Sequence, residues 1–410
     1  MRRVVITGMG VVSALGCDPL TSFNRLKIYK NTVENLEELS NYSGLSSHLG
    51  SKIKDFQIPE HYTRKVLRTM GPASVYAVYA TEQALKEAGL TGSDEITNGR
   101  TGVAYGSSFG SVDPIVDLFS MMSTNKVNSI NSSTYVKMMP HTTAVNVSLY
   151  FKTTGRLIPT STACTSSSMA IGYAYENIRS GAQDIMIAGG AEEFSPAQVA
   201  IFDALYATST VNDTPSATPA PFDEKRDGLV IGEGAGTLIL EEYEHAKRRG
   251  AKIYAEVIGF GTNTDGTHIT QANKDTMAIC MEKALDYANL KPNDIGYVNA
   301  HGTATSWGDI AESLALEKVF GNSVPVSSSK SYIGHSLGAC GSLEAIWSIY
   351  MMNNSWFAPT LNLTTPDAKC GKLDYIMGEG RTFETNYVMS NNFAFGGINT
   401  SLIFKKLNES

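Results

Sequence analysis

Residues 161–178 read STACTSSSMAIGYAYENI, and residues 330–350 read KSYIGHSLGACGSLEAIWSIY. Each opens on small residues at a corner and runs into a helix-like stretch. In the first, a lone thiol, Cys164, follows the apolar run LIP at 157–159. Working outward, the likeness continues in the same order through both halves of the chain. EQALKEAGL (82–90) matches EKALDYANL (282–290), and TGVAYGSS (101–108) matches IGYVNAHG (295–302). VVITGMGVVSALG (4–16) is echoed by AEVIGFGTNTDG (255–266). Four paired segments in one order predict a duplicated α/β unit, one copy over 1–250 and the other over 251–410. The Pro-rich polar segment NDTPSATPAPFDEKRDG (212–228) reads as a surface loop of the first copy.

A chain of 410 residues can bury a large core. Its five cysteines are scattered and odd in number, which argues against a disulfide framework and for a reducing compartment. No Cys/His cluster has zinc spacing, so no metal is expected. No run approaches the roughly 20 apolar residues of a membrane span, and MRRVVITGMGVV lacks the long apolar region of a signal peptide. A cytoplasmic protein is expected. The net charge of −7 disfavours nucleic acid, and an acidic partner would need a local basic patch. Arg64, Lys65 and Arg68 in YTRKVLRTMG (62–71) are the candidates, against the plainer reading of a solvated helix face.

Corresponding loops of two fused copies converge, and here they carry Cys164, His301 and His335. A thiol at a helix N-terminus meets unpaired N–H groups and a partial positive charge, which favour the thiolate. The same N–H groups can receive an oxyanion. One histidine beside a cysteine would suggest a protease-like pair. Two histidines in equivalent loops suggest two donors on a single oxygen.

NAHGTATSWGD (299–309), SSSKSYIGHSLGACGSLEAI (327–346), TACTSS (162–167) and SNNFAFGGINTSLIF (390–404) together resemble the condensing enzymes of fatty-acid and polyketide synthesis. The chain resembles, over essentially its whole length, the β-ketoacyl-[acyl-carrier-protein] synthases of the I/II type. The finer likeness, in YVKMMPHTTAVN (135–146) and NNFAFGGINTS (391–401), is to ketosynthases of bacterial aryl-polyene clusters. This resemblance implies a thiolase-like fold of duplicated α/β units in five layers, α-β-α-β-α. It implies Cys164 as nucleophile, with His301 and His335 holding the malonyl thioester carbonyl during decarboxylation. Lys330 and Glu344 would support the histidines, and the backbone N–H groups of Cys164 and Phe395 would form the oxyanion hole, Phe395 serving also as gate. Thr303 and Thr305 would bind the phosphopantetheine arm, and Phe109 and Phe393 the acyl chain. Arg64, Lys65 and Arg68 would dock an acidic acyl carrier protein.

No permanently bound cofactor is implied, since malonyl and acyl thioesters arrive on the carrier's arm. A homodimer is the default, a heterodimer with a paralogous subunit the alternative. Ser306, Trp307, Ala394 and Ile398 depart from the family's usual residues. Trp307 is expected to reshape the arm's tunnel and Ala394 to stiffen the gate loop, because glycine allows angles that alanine does not.

Three rivals are weaker. TGMGVVS begins like a dinucleotide-binding turn, but Ser13 stands at its third glycine position and no acidic residue follows suitably. A thiolase would need a second catalytic cysteine, and Cys370 in DAKCGKLDY lacks the glycine-rich setting. A non-catalytic partner subunit would lack the nucleophile. His141 and His268 read as a structural and a pocket-loop residue, and His48, His61 and His245 as surface positions.

Overall fold

In a computed structural model that describes residues 1–407, the first strand shows why the glycines of TGMG are there. Strand β1 (Val4–Ser13) is buried along its whole length. A Cβ on Gly8 would lie 2.1 Å from the Ala84 carbonyl oxygen, and one on Gly10 1.9 Å from that of Ala80. Both carbonyls belong to helix α1 (Pro72–Glu87), so these glycines let a helix lie close on a central strand. The dinucleotide reading fails on that geometry: the glycines are mid-strand, not in a phosphate-binding turn.

The other strands of the first half are β2 (Thr101–Gly106), β3 (Leu157–Thr160), β4 (Ile185–Glu192) and β5 (Gly234–Glu242). Those of the second are β6 (Ala255–Thr264), β7 (Tyr297–Asn299), β8 (Pro325–Ser327), β9 (Tyr387–Ala394) and β10 (Ile398–Lys405). Spatial order is β3-β2-β4-β5-β1 and then, mirrored, β6-β10-β9-β7-β8, with a two-residue strand, Asp374–Tyr375, added in parallel beyond β8. In each half the three outer strands run parallel and the two inner pairings are antiparallel. The two sheets join through a short pairing of Val4–Ile6 with Ala255–Val257.

Helices α1 and α2 (Thr142–Phe151) cover the first sheet, and α5 (Lys274–Ala288) and α6 (Ser306–Phe320) lie on the far side of the second. Between the sheets run α3 (Ser166–Arg179) and α7 (Cys340–Asn353). This is the five-layered architecture that the resemblance implied. All of α7 except Tyr350 and Asn353 is buried, as a helix walled by sheets on both sides requires.

The small residues at the two corners now have a structural cause. A Cβ on Gly341 would lie 2.9 Å from the Ser168 side chain and backbone, so the inner helices touch at their first turns. The Ser342 N–H donates to Ser167 Oγ at 3.0 Å, and Cys340 Sγ lies 3.2 Å from the Cys164 carbonyl oxygen it donates to. Each helix is preceded by a 3-10 turn, Ala163–Thr165 and Leu337–Ala339, whose first residue is left-handed (φ 49° and 46°).

The segment 212–228 departs from the expected surface loop. Residues 218–223 and Arg226 in it are buried, and Asp223 accepts N–H bonds from Thr364 and Thr365 at 2.7 and 2.9 Å. Arg226 pairs there with Asp367 at 2.8 Å and reaches toward Asp309. Among the described residues no helix is long and apolar enough to cross a membrane.

Candidate active site

Cys164 Sγ and one ring nitrogen each of His301 and His335 lie within 4.8 Å of one another, all buried. The imidazoles meet edge to face, with centroids 5.2 Å apart. Their hydrogen bonds fix which nitrogen carries the proton. The Leu337 N–H donates to His335 Nδ1 at 3.2 Å. Lys330 Nζ donates to His301 Nδ1 at 3.1 Å, and Asn392 Nδ2 approaches it at 3.4 Å. With each Nδ1 used as an acceptor, each proton sits on Nε2. His335 Nε2 has no partner within the described chain, leaving a buried donor free for a ligand. A metal would need those Nε2 lone pairs bare, so this tautomer suits gripping an oxygen and not ligating an ion. Both rings are neutral: burial first, then the Lys330 charge, holds them well below the ordinary histidine range.

Lys330 owes its charge to Glu344, 2.5 Å away and equally buried. Burial alone would pull the ammonium down, and Glu344, with Cys340 and Glu312, more than offsets that. Asn392 Nδ2 also donates to Glu344 at 2.7 Å, completing a chain Glu344–Lys330–His301.

The thiol corrects one expectation. A helix N-terminus was expected to favour the thiolate, but Cys164 is only 6% exposed and burial pushes its thiol up to about 11. Lys330 and the backbone N–H groups of Phe395 and Cys164 pull the other way and are outweighed. Alkylation of Cys164 by iodoacetamide should accordingly show a log rate rising with pH from about 7 to about 10 without a plateau. A plateau below about pH 8 would show a thiolate already formed at rest.

A cavity of about 400 Å³ leads from Cys164 to the surface. Its lining includes His301, His335, Thr303, Thr305, Trp307, Phe393 and Phe395. Thr303 and Thr305 share a 2.9 Å hydroxyl contact at its side. Phe109 is not on this wall. Its N–H is tied to Glu192 at 3.2 Å, and the ring stacked on Phe395 is instead Phe202, with centroids 5.7 Å apart. Trp307 stands at the mouth, largely in solvent. Ala394 ends β9 and avoids a left-handed angle. Gly396 and Gly397 supply those, at φ 90° and 68°. Arg64, Lys65 and Arg68 are exposed on a short helix and its cap, away from this cavity. Cys370 is buried in the second half's core, away from Cys164, and His268 lies on the loop beside the cavity. His61 is exposed and His48 half-buried, whereas His245 is held between Glu241 and Glu95 and so is not a free surface group.

Several buried acids at the site carry no motif of their own. Glu312 accepts the N–H groups of His301 and Gly302, both at 2.7 Å, and shapes the first histidine loop. Asp309 accepts from Thr303, Ala304 and Phe222. Glu192 binds Ser107, Ser108 and Phe109 of one loop and, at 3.0 Å, the Gly338 N–H of the His335 loop. Carboxylates gathering N–H donors can be anticipated from chemistry, but the partners of Glu192, and Phe222 as partner of Asp309, lie more than 80 residues away.

A buried thiol and two imidazoles with their Nδ1 atoms held as acceptors are brought together at one end of the cavity. The family model for the β-ketoacyl synthase N-terminal domain matches residues 1–246, and that for the C-terminal domain residues 254–364. The chain belongs to the β-ketoacyl synthase family. It is a condensing acyltransferase. It is similar to 3-oxoacyl-[acyl-carrier-protein] synthase 1 of Haemophilus influenzae, at 38% identity over 411 residues and the whole of both chains. A solved β-ketoacyl synthase from Burkholderia phymatum is 56% identical over the full length of both chains, with a TM-score of 0.98. A type II polyketide ketosynthase solved with its acyl-carrier protein is 32% identical, covering 99% of this chain and 100% of that one, with a TM-score of 0.88.

Proposed function

We propose that this β-ketoacyl synthase condenses malonyl-carrier protein with an acyl chain held on Cys164. The thiol attacks the acyl thioester, and its proton leaves with the carrier's thiol. Malonyl-carrier protein then enters, and the Nε2–H groups of His301 and His335 hold its thioester oxygen. Loss of CO₂ leaves an enolate on that oxygen, where two preplaced donors stabilise it without reorganising. Its carbon attacks the Cys164 thioester, the Cys164 and Phe395 N–H groups take the tetrahedral oxyanion, and collapse releases 3-oxoacyl-carrier protein and the Cys164 thiolate, which takes a proton from water. Lys330 and Glu344 keep His301 in its donor tautomer, and Thr303 and Thr305 line the arm's path. The carrying observation is that both imidazoles are locked as Nε2–H donors around the thiol. Incubating the enzyme with malonyl- and acyl-carrier protein should yield stoichiometric CO₂ and 3-oxoacyl-carrier protein. Acyl exchange without CO₂ would overturn the reading.

The aromatic lining from Phe202, Phe393 and Phe395 supports planar, conjugated acyl chains of the aryl-polyene kind, since flat rings stack on such walls. A homodimer fits strand β3, an edge strand whose Leu157 is left exposed. Arg64, Lys65 and Arg68 are the proposed electrostatic contact for an acidic carrier. Among the described residues none of the three makes an ion pair, so their charge is available to a partner. Reversing Lys65 and Arg68 to Glu should raise the KM for carrier-bound substrate and flatten its salt dependence, because rim charges act mainly on encounter. An unchanged salt profile would make this a solvated helix face only.

A further inference from the structure

Helix α4 (Pro196–Ala204) follows β4 and packs against two parts of the site. Its Val199, with Phe202 alongside, shares an apolar cluster with Leu337 of the His335 loop. Phe202 also stacks on Phe395, and both rings line the cavity that holds Cys164.

One turn back from Phe202, on the same helix face, stands Gln198. It is 1% exposed, and neither its Oε1 nor its Nε2 has a hydrogen-bond partner among the described residues. Its main chain is not short of partners. The Gln198 N–H donates to the Ser195 carbonyl at 3.1 Å, and Ser195 Oγ fixes the helix start by accepting from the Ala197 N–H at 3.1 Å. Only the side-chain amide is left over. Burying an amide with neither its acceptor nor its donors used is costly, and buried polar groups are otherwise paired. Packing does not explain the choice, because methionine fills similar space without the polar atoms. Both amide atoms are already closed off from the surface of the single chain, so a partner for them comes from inside, along the cavity.

We infer that Gln198 selects acyl chains that carry a hydroxyl at the end remote from the thioester. The chain runs from Cys164 past the Phe395–Phe202 pair until its hydroxyl meets the amide. A hydroxyl donates to Oε1 and accepts from Nε2–H, so one small group uses both ends of the glutamine. With two aromatic rings along the way, the fitting member of this class is a planar chain that ends in a phenol. The inference rests on the reading that Cys164 carries the acyl chain among aromatic walls.

The test measures kcat/KM for acylation of Cys164 by two probes, phenylpentadienoyl-carrier protein and its para-hydroxyphenyl counterpart. Wild type should favour the hydroxylated chain by about tenfold, as for a hydrogen bond made in a buried site. In Gln198→Met the ratio should fall to within about twofold, the loss falling on the hydroxylated chain, whose oxygen is then buried unpaired. This variant should melt at or above the wild-type temperature, because it removes an unpaired buried amide. The wild-type ratio needs no variant and decides by itself. Equal rates for the two chains in wild type, a preference that survives in Gln198→Met, or a lower melting temperature with both chains slowed alike would overturn the role of Gln198 and leave the condensing reaction standing. Failure of both chains to acylate Cys164 would instead overturn the aromatic acyl pocket, and the inference with it.

Discussion

Replacing His335 with alanine should leave acylation of Cys164 near its wild-type rate while lowering malonyl decarboxylation by about 10²–10³-fold. His335 Nε2–H is a buried donor with no partner in the described chain, and its Nδ1 is committed to the Leu337 N–H. On the proposed mechanism, removing it takes one of two donors from the enolate oxygen and leaves the Cys164 and Phe395 N–H groups in place. His301→Ala should act in the same direction, with a larger structural cost because Lys330 then loses its neighbour at 3.1 Å. The readouts are ¹⁴CO₂ release from labelled malonyl-carrier protein and intact mass after exposure to acyl-carrier protein. A His335→Ala enzyme that decarboxylates at the wild-type rate would remove the imidazole pair from the mechanism.

Lys330→Ala should be damaging twice over. It leaves Glu344 buried without its counter-charge, a loss of about 3–5 kcal/mol when one partner of a buried pair is removed. It also removes the donor that holds His301 Nδ1 as an acceptor, so the ring can move its proton and stop presenting Nε2–H. The two effects separate in a double variant. Lys330→Met with Glu344→Leu takes away both charges and should recover much of the lost stability, since apolar replacements of buried pairs are often neutral. Decarboxylation should stay low in it. Calorimetry and CO₂ release on the same preparations distinguish these outcomes, and recovery of both together would reduce Lys330 to a packing role.

What could be seen in the sequence follows the range of the interactions concerned. The duplication was legible because each repeat is local: matching glycines, small corners and helix ends lie within short windows. Cys164, His301 and His335 were legible because their loops recur in both copies. The thiol's environment was not. The helix N-terminus is a local feature and was visible, whereas the burial that outweighs it is made by α7 and the His335 loop, far along the chain. Phe109 illustrates the same limit. Position in a loop after β2 said nothing of Glu192 tying that loop back, or of Phe202 arriving from α4 to stack on Phe395. The burial of Asp223 and Arg226 was hidden for the same reason, since their partners Thr364, Asp309 and Asp367 lie more than 80 residues away.

The most direct measurement is peptide-mapped mass spectrometry of the enzyme after incubation with acyl-carrier protein alone, followed by a chase with malonyl-carrier protein. One acyl group should appear on the peptide carrying Cys164, and the chase should remove it as 3-oxoacyl-carrier protein with one CO₂ released. The Cys164→Ala enzyme should take up no acyl group yet still release CO₂ from malonyl-carrier protein. An acyl group found elsewhere, or condensation surviving in Cys164→Ala, would contradict the assignment of Cys164 as the nucleophile.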